Sequence, residues 1–327
     1  MSAALFFLIP IGMLAVVWSV CFVGCSYPTF TFDSYSDLVL GENSLLAYWP
    51  LNEVLQTVST PGPAGTAGDL SKKGHDGTYL IPPAYPSGMQ AVPQSKALNP
   101  PSLARGTSIV PGDANSASNK FAASADFEGG YVTIPWSTQD WPLLNQFTFE
   151  AWVEPKWTGS GNLWVVFSAF VNNTGFRILI NDKNHWELVI GTGPGNMPNA
   201  IDTMVPFDVP TDPASAKPTY VAITCDSNTG MINLWINPLS QGDTPNPPPP
   251  PPTWTSPMST GYVAADPSQL TAAFIGAGAN DLPLRTATTN PQGAPLYPFQ
   301  GLIQSVALYS NLLDAGDIQS HFIGGAG

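Results

Sequence analysis

Charge is what this sequence lacks most. Only 10% of its 327 residues are Asp, Glu, Lys or Arg, whereas soluble domains usually carry about 25%. Ten basic residues against 23 acidic ones give a formal net charge of -13. Such a chain has no stripe of Lys and Arg with which to displace the counterions of phosphate groups. We therefore expect no nucleic acid among its partners, and no docking of the soluble part on anionic lipid headgroups.

Cysteine and histidine are also scarce. Three cysteines cannot form a disulfide framework, and the three histidines, His75, His185 and His321, lie far apart in the sequence. No group of Cys and His has the spacing of a zinc site. Cys225 lies in the strand-like stretch "YVAITCD" with apolar residues at alternate positions, and we predict that it is a buried thiol outside any disulfide.

A long uncharged run stands at the N-terminus. Residues 3–23, "AALFFLIPIGMLAVVWSVCFV", would span about 31 Å as a helix, which is the thickness of a hydrocarbon core. The run predicts a single transmembrane helix within a membrane anchor over residues 1–25. A cleaved signal segment remains an alternative, as does lipidation of Cys25 in "FVGC", although no basic residue precedes Lys72. The domain after the anchor is expected outside the cytoplasm, with a virion membrane as another setting.

The rest of the chain has the pattern of an all-β protein. Strand-like alternating runs such as "LLAYWPL", "LWVVFSAF" and "MINLWIN" recur between turns rich in Gly and Pro. They predict an antiparallel jelly-roll sandwich over residues 45–327, preceded by an extended stalk over residues 26–44. A Pro-rich loop insertion is expected at 238–260, and one short helix is expected to begin near Asp314.

Six segments in succession resemble a known family. They are "AYWPLNE", "DLSKKGHDGTY", "ADFEGGYVTIP", "FTFEAWVEP", "PTYVAITCDSNTGMINLWIN" and "FQGLIQSVALYSNLLDAGDIQSHF". Together they resemble a laminin G-like domain of the concanavalin A-like lectin/glucanase superfamily, and they span Leu45 to Phe322. The resemblance implies two curved antiparallel sheets with the first and last strands near one another. We predict burial of six strand residues: Phe149, Trp152, Val221, Ile223, Trp235 and Val306.

Two carboxylates on the strand "FTFEAWVEP" raise the question of catalysis. Glu150 and Glu154 share one face of the strand, because side chains at i and i+4 point the same way. Glucanases of the resembled superfamily carry three alternating acids on such a strand, but Trp152 stands here at the middle position. We therefore predict a core strand and a domain that is not an enzyme. Both faces carry aromatic residues, so the alternation does not say which one faces inward.

Metal and ligand contacts remain as candidates. The resemblance implies that calcium can bind at a rim of the sandwich, through carboxylate and carbonyl oxygens. Loop residues with suitable oxygens are Asp69, Asp76, Asp226, Asn228 and Asp281. Tryptophans in turn-like segments could contact a glycan or a protein partner, or could pin their loops to the sandwich; they are Trp136, Trp141, Trp157 and Trp254. "NNT" at Asn172 is an acceptor for N-glycosylation in a eukaryotic secretory lumen.

Three functions compete on these observations. The first is a non-catalytic, membrane-anchored structural or interaction subunit of a larger membrane complex or virion, in contact with other protein subunits. The second is a carbohydrate-binding lectin at the cell surface. The third, a glycanase, is disfavoured by Trp152 between the two acids.

Overall fold

The computed structural model describes residues 34–54, 56–83, 101–114, 123–137, 141–142, 144–239, 249–257, 261–266, 268–278 and 297–326. The predicted anchor over residues 1–25 lies outside these ranges. Within them, no helix combines the length and the apolar character needed to cross a membrane. The described residues from Ser34 onward form one compact unit.

Strands dominate the described residues. They are β1 (Leu45–Trp49), β2 (Gly62–Ala67), β3 (Gly77–Ile81), β4 (Ser102–Thr107), β5 (Ala123–Glu128), β6 (Tyr131–Pro135), β7 (Gln146–Pro155), β8 (Trp164–Val171), β9 (Thr174–Ile180), β10 (His185–Ile190), β11 (Asn199–Pro206), β12 (Thr219–Asp226), β13 (Met231–Ile236), β14 (Trp254–Pro257), β15 (Ala272–Ile275) and β16 (Gln300–Tyr309). The helices are α1 (Tyr35–Gly41), α2 (Pro111–Ala114) and α3 (Ala315–Ala326), with a short 3-10 helix at Pro213–Ser215.

The strands form two antiparallel sheets. Sheet A has the order β14–β13–β12–β7–β16–β5–β4, and β1 also pairs with β16. Sheet B has the order β11–β10–β9–β8–β15–β6–β3–β2. The all-β antiparallel sandwich is therefore confirmed. The first and last strands of the domain are neighbours, as the family resemblance implies.

A large apolar core lies between the sheets, and strand β7 shows how the sequence produces it. Phe147, Phe149, Ala151 and Val153 alternate along β7 and all belong to this core. Trp152, which has the opposite parity, belongs to a second apolar cluster on the outer face of sheet A. The six residues predicted to be buried are each at most 4% exposed. Cys225 is also buried and forms no disulfide.

Helices α1 and α3 cover the outer face of sheet A. Tyr35 of α1 and Phe322 of α3 pack with Trp152 in the second cluster. Helix α3 approaches the sheet closely because Gly325 faces Trp152: a Cβ added there would lie 2.4 Å from the indole. The prediction of an extended stalk over residues 26–44 is therefore wrong for residues 35–41, which are helical and packed against the domain.

The predicted C-terminal helix is confirmed, whereas the predicted loop insertion at 238–260 is only partly correct. The helix expected near Asp314 is present as α3, and Asp314 Oδ1 accepts hydrogen bonds from the backbone N–H groups of Gly316 and Asp317. The segment 238–260 is not wholly a loop insertion, because β14 within it pairs with β13. Pairing there extends sheet A by one strand, since Trp254 lies opposite Leu234.

Candidate functional site

Glu150 lies at the centre of a buried polar cluster beneath the helical layer. Its carboxylate accepts hydrogen bonds from the hydroxyl groups of Tyr220 on β12 and Tyr309 on β16. The imidazole Nδ1 of His321 on α3 lies 3.2 Å from one carboxylate oxygen and 3.1 Å from the other. The other imidazole nitrogen lies 3.6 Å from a carboxylate oxygen of Glu42, at the end of α1. Glu150 therefore connects β7 to β12, β16 and α3, and His321 extends the cluster to the end of α1.

The surroundings of Glu150 determine its charge. Burial raises the pKa of this carboxyl group, but the charge of His321 and the hydrogen bonds from His321 and the two tyrosines outweigh burial, so the pKa is lowered. Burial, together with the Glu150 charge, holds the pKa of both Tyr220 and Tyr309 well above its usual value. Near neutral pH Glu150 is therefore a carboxylate, and both phenols keep the protons that they donate.

This geometry does not suit a pair of catalytic acids. Glu150 is 0% exposed and its oxygens already accept from three side chains, so no substrate reaches it. Glu154 is half-buried at the end of the same strand, and burial raises the pKa of its carboxyl group. Between the two acids, Trp152 is 3% exposed and stacks on Phe322. Glu150 thus attaches α3 to sheet A, which gives a polar residue on a core strand a structural role.

The tryptophans considered for ligand contact are mostly inside the protein. Trp136 and Trp141 stack in parallel with ring centres 3.9 Å apart, and His75 stacks on Trp141 at the same distance. Trp157 packs against Trp164. Trp136, Trp141 and Trp157 are 2–4% exposed, so they hold their segments against the core and present no open ring face to a glycan. Trp254 differs, because it is half-buried on β14.

The oxygen-bearing residues considered for calcium fall into two separate turns. Asp69 accepts hydrogen bonds from the backbone N–H groups of Tyr48, Ser71 and His75, and its own N–H donates to Asp76. Asp226 accepts from the N–H of Asn228 in the β12–β13 turn. Asp281 lies outside the described residues. Within the described ranges, no three His, Cys, Asp or Glu side chains are grouped so as to hold a metal ion. Calcium binding stays a prediction.

An open cleft of about 390 Å³ lies at one side of the sandwich. Its lining includes Glu53, Val54, Gln56, Val58, Ala64 and Thr66. Glu53 is held in place, since one of its oxygens accepts from the N–H of Gly68 and the other accepts from the hydroxyl of Tyr79, each at 2.9 Å. The sequence analysis does not predict this cleft; the available signal is Glu53, an acid four residues after the end of the apolar strand β1.

Some solved structures are similar to this chain. The binding domain of botulinum neurotoxin DC in complex with SialylT gives a TM-score of 0.47 at 13% identity, over 87% of this chain and 52% of that chain. The same domain in complex with rat synaptotagmin II gives 0.49 at 12% identity, over 86% and 51%. The chain therefore spans about half the length of these domains.

A further similar structure is domain 4 of AbnA, a GH43 extracellular arabinanase from Geobacillus stearothermophilus, in complex with arabinotriose. It gives a TM-score of 0.48 at 13% identity, over 85% of this chain and 98% of that chain. No curated protein sequence matches this chain significantly. A family model described as the concanavalin A-like lectin/glucanases superfamily matches residues 126–277, from β5 to the end of β15, and supports a laminin G-like, concanavalin A-like domain in this chain.

Proposed function

We propose that the protein is a non-catalytic, membrane-anchored subunit of a larger membrane complex or virion, and that its laminin G-like domain contacts other protein subunits. The observation that carries this proposal is the position of Glu150. Strand β7 uses its buried acid Glu150 to bind the tyrosines of β12 and β16 and His321 of α3, which leaves this acid no access to substrate. The uncharged residues 3–23 would hold the chain in lipid, with the domain outside the cytoplasm.

Trp254 is the candidate residue for contact with a partner. It is half-buried on β14, an edge strand of sheet A, and follows the proline segment 249–252. Tryptophan is enriched at protein interfaces because its large ring buries much apolar surface while losing little side-chain entropy. A partner would cover the part of the ring that the domain leaves open.

The proposal is tested by what accompanies the intact chain when it is extracted in mild detergent from its native membrane. We expect partner proteins in fixed stoichiometry, and we expect Trp254→Ala to weaken that association. Thr255→Ala, an exposed neighbour on the same strand, is the matched control. A monodisperse monomer would contradict the proposal. So would cleavage of a polysaccharide that Glu150→Gln and Glu154→Gln each abolish while circular dichroism stays unchanged.

Carbohydrate binding is the alternative function, because the matched family model covers lectins. The burial of Trp136, Trp141 and Trp157 counts against it, since these indoles were its candidate stacking surfaces. A glycan array probed with the intact chain, with and without calcium, separates the two functions. Binding to a defined glycan would favour the lectin function. If that binding required calcium, the turns that contain Asp69 and Asp226 would be the candidate calcium sites.

A further inference from the structure

The open cleft lies between the edges of the two sheets. Strand β2 is the last strand of sheet B, and among the described residues it pairs with β3 alone. On the opposite side, Val58 is joined to Leu103 of β4, the edge strand of sheet A, by two backbone hydrogen bonds of 2.8 and 2.9 Å. Ala64 and Thr66 of β2 line the cleft together with Val58. A strand edge thus borders an opening of about 390 Å³, within the range of about 300 to 1,000 Å³ found for binding pockets.

The lining of the cleft is suited to a polypeptide better than to a sugar. Val54, Val58 and Ala64 give it apolar walls, and Tyr79 is the aromatic residue among the described lining residues. The Tyr79 ring is only 1% exposed, so it offers no open face on which a sugar could stack. An edge strand instead presents backbone N–H and C=O groups at every second residue, which an added strand can pair with while its alternate side chains enter pockets.

The charge of the cleft indicates that a bound polypeptide would be basic. Glu53 places a carboxylate in it, and no Lys, Arg or His is among the described residues of its lining. Each Glu53 oxygen accepts one hydrogen bond within the domain, and a carboxylate oxygen can accept two. The chain as a whole carries a formal charge of -13, so its field attracts a basic segment and repels an acidic one.

We propose that this cleft binds an extended, basic segment of a partner protein, which pairs as an added strand with β2 and places one Lys or Arg side chain at Glu53. The inference rests on the proposed function, because the segment would belong to a neighbouring subunit of the assembly. The apolar walls would receive the side chains that flank the basic residue.

The test measures binding of the intact chain, in mild detergent, to synthetic peptides of about ten residues, a length that covers an added strand and its flanks. Three sets of random sequence are used: basic, neutral and acidic. We expect basic peptides to bind the wild type, and Thr66→Arg to weaken that binding at least about tenfold, because it places a cation and a longer side chain in the cleft. Thr255→Arg on β14 is the matched control, since it makes the same exposed substitution on the edge of the other sheet. It should bind as the wild type does.

A second variant isolates the carboxylate. Glu53→Gln keeps an oxygen for the N–H of Gly68 and removes the charge, so it should reduce the preference for basic over neutral peptides while circular dichroism stays unchanged. The proposal is overturned if no peptide set binds, if acidic peptides bind equally well, or if Thr66→Arg binds like Thr255→Arg. A fixed-stoichiometry complex that forms without any peptide binding would leave the proposed function standing and place the subunit contact elsewhere on the domain.

Discussion

Replacing His321 by leucine tests how the helical layer is attached to sheet A. The substitution removes the imidazole that lies 3.1 and 3.2 Å from the two oxygens of Glu150. The carboxylate remains fully buried, with the hydroxyl groups of Tyr220 and Tyr309 as its remaining side-chain donors in the described structure. Leucine has a volume similar to that of histidine, so the packing of α3 on Tyr35 is largely kept.

The expected cost follows from leaving a buried charge uncompensated. Removing one partner of a buried ion pair typically destabilises a protein by about 3 to 5 kcal/mol. Two phenol donors still stabilise Glu150, so we expect the lower end, about 3 kcal/mol. His185→Leu is the matched control, since His185 lies 3.0 Å from Asp202 at the surface and both side chains are partly exposed. That pair should contribute less than about 1 kcal/mol.

The contribution of the Glu150–His321 pair to the free energy of unfolding should depend on pH. Burial alone lowers the pKa of His321, but attraction to Glu150 outweighs burial, so the folded-state pKa lies above 6.5. The His321 contribution is therefore complete below pH 6.5 and is lost as the pH rises through the raised pKa. The folded-state pKa of Glu150 lies below 4.5, so its contribution is present above pH 4.5 and is lost as the pH falls through the lowered value. Glu150 and His321 together therefore stabilise the fold most between about pH 4.5 and pH 6.5.

Urea unfolding followed by tryptophan fluorescence, from about pH 5 to about pH 9, measures both effects on the free energy of unfolding. The difference between the wild type and His321→Leu should be largest near the acidic end of this range. It should narrow as the pH rises through the folded-state pKa of His321. A difference below about 1 kcal/mol that is the same at every pH would refute the reasoning, because Glu150 and His321 would then not be charged partners.

Three further predictions concern packing, redox chemistry and the N-terminus. Gly325→Ala should lower the free energy of unfolding by about 1 to 3 kcal/mol, because its Cβ would lie 2.4 Å from Trp152, whereas Gly41→Ala meets nothing within 4 Å and should be nearly neutral. Cys225 should resist thiol labelling until the protein is denatured, since burial raises its pKa to about 12; rapid labelling of the native protein would contradict its buried position. Deleting residues 1–25 should leave a folded, soluble domain that no longer enters the membrane fraction, and a truncated protein that still sediments with membranes would contradict the anchor.

The sequence predicts the positions of the strands better than it predicts which face of each strand points into the core and which helices cover the sheets. The stretch "FTFEAWVEP" was assigned correctly as a core strand, but its orientation required the structure, because Phe149 and Trp152 are aromatic residues of opposite parity. The sequence does not predict helix α1, because seven residues make only about two turns, too few for a helical repeat of apolar residues to be recognised. A local signal was present: Ser34 accepts from the N–H of Asp37, and this serine-to-acid spacing of three marks a helix start.

The candidate sites were harder to predict. Whether a side chain is buried, and which other side chains it meets, depends on contacts between residues that are distant in the sequence. The turn-like surroundings of Trp136 and Trp141 allowed either ligand contact or packing against the sandwich, and the structure shows packing: the two rings stack on each other, and His75 stacks on Trp141. Glu150 and His321 are separated by 171 residues, so no local pattern could pair them. The cleft depends on β2 and Val58 meeting at the side of the sandwich, which spacing alone does not specify.

The pairing of β16 ties folding to the end of synthesis. This strand pairs with β7, β5 and β1, so the two parts of sheet A, β14–β13–β12–β7 and β5–β4, stay unjoined until residues 300–309 have been made. When strands β1 to β15 have left the ribosome, β1, β5 and β7 therefore still lack their shared partner and expose apolar surface. The sandwich is completed only when this last strand joins the two parts of sheet A.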